Sequence, residues 1–444
     1  MGNLKKFLID VRSSLWFIPA LLVAGSIALA LGLIEADLRL DPALRDTYPR
    51  LFAAEAEGSR AMLSAVAGSM ITVAGVVFSI VIVSLSLAST QYTSRVLRHF
   101  MRDRANQAVL GVFLGIFAYC IVVLRTFSAA GAGEEFVPSL AVVTGALLSL
   151  VGTGFLIFFI HHTAAAVQAS EIIASITEET AAAVDKLFPE ELTVEEESAG
   201  ASAEDGPDGG MWRPVPSSET GYVQTVDIET LVSFASERGV VIRVERGVGE
   251  FAAEGKPIVS ISQSKRIDAE DIKALNSAFA VGKYRTAQQD PAFGIRQLVD
   301  IALKALSPGI NDTTTAVNCI DYLGVILSRL APRRLDARAA CGGGARVILK
   351  EVSFEKYVDE AFNQIRQNAE GNVSVLIRML GAIGEVSTEV RDEGRRATLR
   401  EHTGLILELA RRSVPSGRDL DKVEEQAEAA MRALPTPEME GSLA

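Results

Sequence analysis

The chain has 444 residues, 49% of them hydrophobic and only 22% charged, with three cysteines and a formal net charge of -12. Three cysteines without paired or metal-ligand spacing exclude a disulfide-built scaffold and give no basis for a structural metal site. The acidity is local: residues 189 to 210 hold eight acids and no base, so that one tract supplies -8 of the total. No nucleic-acid partner and no cofactor is expected.

In chain order, the first feature is Leu15 to Ile34, free of charge and interrupted only by Pro19. It reads as a membrane span and not as a cleaved signal, because no small-residue cleavage site follows it. Ser64 to Ala88 and Ala108 to Leu124 are also charge-free, and Arg95, Arg98, Arg102 and Arg104 lie between them against one acid, Asp103. Pro138 to Ile160 is the fourth such run, with proline where a first helical turn tolerates it. Each run approaches the ~20 residues that cross a bilayer core. The expected fold is therefore an α-helical integral membrane protein with four transmembrane helices in residues 1–162, followed by a cytoplasmic α+β and helical domain.

Lysine and arginine placement gives the orientation. Lys5, Lys6 and Arg12 precede span one, and the arginine cluster joins spans two and three. The other two connections are acidic or mixed, since Glu35 to Leu63 carries six acids and four arginines, and Glu134 and Glu135 follow Arg125. The positive-inside rule puts both termini in the cytoplasm of a bacterium, with the spans in its inner membrane.

Within the spans, Thr72, Gly75, Ser79, Ser86, Thr90 and Thr93 fall 3, 4, 7, 4 and 3 residues apart, one stripe along a helix. Small and hydroxyl residues on such a stripe let helices approach closely, or line a narrow hydrated path if several copies surround an axis. Gly111 and Gly115 in span three, and Gly145, Ser149 and Gly152 in span four, point to close helix packing within or between chains. Arg95, Arg98 and Arg102 share a face, suited to lipid headgroups or to the inner mouth of a pore. No acid or base lies mid-span, which argues against ion-coupled active transport.

Residues 163–188 predict a helical stalk, with Val167, Ile172, Ile173, Ile176, Ala181 and Val184 near helical spacing and Pro189 as its end. The acidic stretch 189–218 reads as a disordered linker. Residues 219–265 predict a small α+β module, with strands Tyr222 to Val226, Val240 to Val244 and Ile258 to Ile261. A helix from Ile228 to about Glu237, stopped by Gly239, joins the first two.

From 266 to 434 the pattern is helical. Ile295, Leu298, Val299, Ala302, Leu303 and Leu306 form one apolar face, Ser307-Pro308-Gly309 breaks it, and Asp312 caps the next helix. Further helices are expected at Phe354 to Asn368, Val373 to Ile383, Arg396 to Arg412 and Asp419 to Ala433, before a mobile tail at 435–444. Arg296, Asp300 and Lys304 form a charge ladder, and Asn311 and Asp312 sit at the turn, so Arg296, Asp300, Asn311 and Asp312 are candidate contacts of this domain.

Enzyme signatures fail on inspection. Gly249 to Gly255-Lys256 has five intervening residues where a phosphate-binding loop has four, and Pro257 takes the place of its hydroxyl. His161 and His162 are adjacent, so on a helix they point about 100° apart and do not share a metal easily. No catalytic, cofactor or metal residues are assigned, and the chain is not expected to be an enzyme.

The run Ala88-Ser89-Thr90-Gln91-Tyr92-Thr93-Ser94-Arg95-Val96-Leu97-Arg98-His99-Phe100-Met101-Arg102-Asp103-Arg104, then Asn106-Gln107 and Leu110-Gly111, resembles a bacterial membrane protein family catalogued as domain of unknown function 2254. So do Gln289-Asp290-Pro291-Ala292-Phe293-Gly294-Ile295-Arg296-Gln297-Leu298-Val299-Asp300-Ile301-Ala302, Leu306-Ser307-Pro308-Gly309-Ile310-Asn311-Asp312, Gly221-Tyr222-Val223-Gln224 and the histidine pair. The similarity reaches to about Leu330. It implies four spans and a cytoplasmic domain, and brings no established activity.

The expectation is a homo-oligomer in the lipid bilayer acting as a passive, channel-like pore for a small ion, assembled or gated by its cytoplasmic domain. The alternative is a non-conducting membrane-anchored sensor or scaffold whose domain binds a ligand or partner.

Overall fold

A charge-free run in an apolar medium can satisfy its backbone only within itself, so helix is the outcome physics favours for each of the four runs. The computed structural model bears this out. It describes residues 16–39, 56–91, 103–129, 137–166, 168–188, 212–262, 268–335, 339–342, 345–350 and 352–434. The first four helices are α1 (Phe17–Arg39), α2 (Ala56–Gln91), α3 (Arg104–Ala129) and α4 (Ser139–Ala166). All four are long and apolar enough to cross a membrane. The chain divides into two compact units, Met1–Gln168 and Ala169–Ala444.

In the first unit α3 is the central helix. Half of its apolar window (50%) is buried, against 11% in α1 and 17% in α2 and α4. Its core residues Phe113, Ile116, Tyr119, Cys120 and Val123 pack with Leu63, Ala67, Met70, Ala74 and Val77 of α2. The α2 set recurs at intervals of four, three, four and three, which is one helical face.

The second unit begins with α5 (Ala169–Leu187), the helix expected as a stalk. It packs on α8 (Pro291–Ala305) and α9 (Thr313–Leu330) of the same unit. Its buried face, Ile172, Ile173, Ile176, Thr180 and Val184, belongs to that contact. Arg329 and Arg333 of α9 and its C-terminal turn bind Asp185 at 2.8 and 2.9 Å, and Arg333 also donates to Phe188 O.

Two sheets follow. The strands are β1 (Trp212–Pro216), β2 (Gly221–Val226), β3 (Val241–Val244), β4 (Phe251–Ala252), β5 (Pro257–Ser262), β6 (Phe279–Gly282), β7 (Ala339–Gly342) and β8 (Ala345–Ile348). One sheet has the order β1-β5-β3-β8-β7 and the other β4-β2-β6. The helices between them are α6 (Ile228–Arg238) and α7 (Ala269–Ser277). Gly239 ends α6 at φ 62°, a left-handed cap that glycine takes without strain.

Here the fold differs from the sequence boundaries. β1 lies within the stretch assigned to the linker, and β6, β7 and β8 lie within the region assigned to helices. β8 runs parallel to β3, pairing Ile242 with Val347. The sheet is thus completed by a strand pair about 100 residues downstream, a pairing that local periodicity does not encode.

The remaining helices are α10 (Phe354–Asn368), α11 (Val373–Ser387), α12 (Glu393–Ser413) and α13 (Gly417–Arg432). Short polar side chains cap all eight helices from α6 onward: Asp227, Asp268, Asp290, Asp312, Ser353, Asn372, Asp392 and Ser416 each accept from the first turn.

Candidate functional site

The glycines of the first unit separate into two groups. A Cβ on Gly111 would lie 2.6 Å from Leu22 Cδ1 and 2.9 Å from Pro19 Cα, and one on Gly115 would lie 2.6 Å from Ser26 Oγ. The G-x-x-x-G pair of α3 is therefore used within the chain, against α1. Gly145 stands 2.7 Å from Leu63 Cδ2 by the same measure, and Gly152 stands 3.1 Å from Ile116 Cδ1. Both close the α4 contacts with α2 and α3, while Ser149 turns its hydroxyl to Ala146 O of its own helix.

Gly75 belongs to the other group, with nothing within 4 Å of a Cβ. It lies on the α2 face opposite Ala74 and Val77, and Thr72, Ser79 and Ser86 are exposed with it. Thr72, Gly75, Val76, Ser79, Ile80 and Val83 line an open groove of about 550 Å³. Its hydroxyls are satisfied along the helix, Thr72 to Gly68 O at 2.8 Å and Ser79 to Gly75 O at 2.9 Å. Ser69 does the same with Ala65 O. The groove therefore has the shape of a polar-residue stripe and the hydrogen-bond demand of an apolar one. Thr90 is in the last turn of α2, its side chain outside the described set; Thr93, Arg95, Arg98 and Arg102 also lie outside the described residues.

Charged residues that the periodicity left unexplained hold the helix ends. Asp37, 1% exposed at the end of α1, accepts from Leu140 N and Ala141 N of the first turn of α4 at 3.1 and 3.2 Å. It serves as a capping carboxylate supplied by another helix, where the helix dipole favours negative charge. At the same end of the unit, Arg60 of α2 donates to Phe127 O near the end of α3 and lies over the Phe127 ring. Tyr119 donates to Ala141 O at 2.7 Å. At the opposite end His162 Nε2 meets Asp103 Oδ2 at 2.6 Å, and Phe158 stacks on the imidazole. Asp103 also caps α3 through Ala105 N. The only sequence signal for these pairs was an acid or histidine at the edge of an apolar run.

In the second unit Arg296 reaches Asp300 at 3.0 Å and Glu360 of α10 at 3.2 Å, so the expected ladder also bridges two helices. The turn between α8 and α9 is a tight reversal: Asn311 takes φ 52°, and Asp312 accepts from Thr315 N at 3.0 Å and Thr315 Oγ1 at 2.6 Å. Thr315 thereby holds the Asp312 carboxyl below the usual carboxylate range. Asp290 caps α8, accepts two bonds from Arg285 at 2.7 and 2.9 Å, and fills the space that a Cβ on Gly249 would need, at a φ of 83° that side chains rarely adopt. Among the described residues no group of three or more His, Cys, Asp or Glu is placed to hold a metal ion.

Four membrane-length helices with α3 at their centre, followed by a mixed helical and small-sheet unit, define a class of polytopic membrane protein. The chain belongs to the family described as predicted membrane protein, domain of unknown function 2254, which matches residues 12–385. It is 30% identical over 459 aligned positions to uncharacterized proteins of two Mycobacterium tuberculosis strains and of Mycobacterium bovis, covering 100% of this chain and 85% of each relative. No solved structure matches it.

Proposed function

We propose that this chain is a self-associating protein of the bacterial inner membrane, with both termini cytoplasmic, in which α2 of one copy meets α2 of its neighbours. The observation that carries the reading is the uncovered groove at Gly75. The glycines of α3 and the two on α4 that a neighbouring helix covers serve intrachain contacts, while this outward face keeps the small residues that let helices approach. Several such faces around a symmetry axis leave a narrow path for passive permeation of a small ion. The second unit serves as assembly platform or gate, and the chain performs no catalysis.

A second reading rests on the hydroxyls. Thr72 and Ser79 already bond to their own helix, so the stripe needs no water in front of it. Copies packed on this face then conduct nothing, and the second unit acts as a sensor or scaffold.

Cysteines at Thr72 and Ser79, oxidised in native membranes, are expected to give a crosslinked dimer. Cysteine at Leu147, exposed on α4, is the control expected to give none. Equal crosslinking at all three positions would end the α2 assignment. Ion flux into proteoliposomes then separates the two readings: flux that falls in Ser79→Leu and Ser86→Leu supports the pore, and no flux from the crosslinking-competent wild type supports the scaffold.

A further inference from the structure

The second unit buries a histidine where a proton has consequences. His402 of α12 is 3% exposed and lies against the Phe362 ring of α10, with centroids 6.2 Å apart. Its Nε2 meets Asp359 Oδ1 at 3.1 Å, and Asn363 Nδ2 donates to the same oxygen at 2.7 Å. A carboxylate accepts, so Nε2 carries the hydrogen and Nδ1 is the lone-pair nitrogen of a neutral ring. That Nδ1 is buried and has no hydrogen-bond partner among the described residues.

For the neutral ring this is one unmet acceptor. A second proton would put an N–H at Nδ1 with nothing to receive it, and a charge in an apolar contact between two helices. The charged groups bearing on the ring are Asp359 and Arg366 from α10 and Glu401 on α12 itself. The two carboxylates favour the cation and Arg366 opposes it. Burial, with Arg366 acting in the same direction, outweighs the two carboxylates and holds the imidazole below histidine's ordinary range.

We propose that His402 is an acid-sensitive lock on the α10–α12 contact, closed while the ring is neutral and released when it takes up a proton. The lock crosses the limit of the family match, since Asp359 lies within residues 12–385 and His402 beyond them. The inference is independent of the α2 groove.

An exposed histidine in the opened state protonates near its ordinary value of about 6.5, while the packed one resists. Acidification below that value therefore favours opening, by up to about tenfold per pH unit. Hydrogen exchange of the full-length protein in nanodiscs, expressed as protection factors to remove the intrinsic pH dependence of exchange, measures this. Protection of α10 and α12 is expected to fall by up to about fivefold from pH 6.5 to 5.5, with α1 to α4 unchanged. His402→Gln keeps a donor toward Asp359 but takes no proton, and its protection should stay flat. Unchanged wild-type protection, or an equal fall in the variant, would overturn the proposal. Should that variant not fold, the wild type labelled at its four histidines decides by NMR: one signal titrating below the rest supports the lock, and all four titrating together overturn it.

Discussion

Replacing Gly294 by alanine tests how α5 is held in the second unit. The two helices cross so closely that a Cβ at Gly294 runs into Thr180 Oγ1 and stands 2.8 Å from both Cβ and Cγ2 of that residue. Thr180 is 0% exposed and donates to Ile176 O at 2.6 Å, so any retreat of its side chain meets close packing and gives up that bond. Overpacking of this kind costs about 1–3 kcal/mol, and the upper end applies where two helices must separate. Losing the threonine bond adds about 1 kcal/mol. Alanine's better helix propensity returns about 1 kcal/mol. The net expectation is a destabilisation of roughly 2–3 kcal/mol, which lowers Tm by about 4–12 °C at about 2–4 °C per kcal/mol for a domain of this size.

Thermal unfolding of the purified full-length protein, followed by exchange or fluorescence in the second unit, reads this directly. Thr180→Ala removes Oγ1 and Cγ2 but leaves a Cβ at 2.8 Å, so the double variant should recover part of the loss. Thr180→Gly should relieve the clash fully while costing about 1 kcal/mol in helix propensity. An unchanged Tm in Gly294→Ala, or no recovery in either double variant, would refute the close-crossing argument.

Other expectations follow from the same coordinates. Gly115→Leu should lower the melting temperature of the first unit in detergent by separating α1 from α3, whereas Gly75→Leu should leave that temperature unchanged and abolish the Ser79 crosslink. Asp37→Ala leaves Leu140 N and Ala141 N without their acceptor, and by the usual value of a cap it should cost about 1–2 kcal/mol; Asp37→Asn, which keeps one acceptor oxygen, should cost less in the same melt. Asp312 has its carboxyl held below the ordinary range by Thr315, so the stability it contributes is present above the unfolded carboxyl's value of about 3.9 and is lost as pH falls through the lower folded value. In Asp312→Asn that segment of the acid titration should flatten.

The sequence carried a large share of this fold, for identifiable reasons. A bilayer sets the length of an apolar run, so four charge-free runs specify four membrane-length helices without knowledge of their neighbours. Asp312 marks a helix start, and Gly239 marks a stop, because a cap is satisfied within one turn. The helix expected at Phe354–Asn368 was legible to its last residue. The α2 stripe was legible as a pattern, since 3- and 4-residue spacing defines a helical face.

What covers each face was decided only by the tertiary structure. Spacing alone did not tell that Gly111 and Gly115 are spent on α1 while Gly75 remains open, because all three are small residues on apolar helices. Nor did it tell that α3 sits at the centre, since the four runs are nearly alike in composition. Asp37 joins Leu140, His162 joins Asp103, β8 joins β3 and Gly294 meets Thr180 across chain separations that no local period spans. Helix length and capping are local free-energy balances that each segment settles alone. Packing partners depend on which surfaces meet once the chain is folded, and that is a property of the whole.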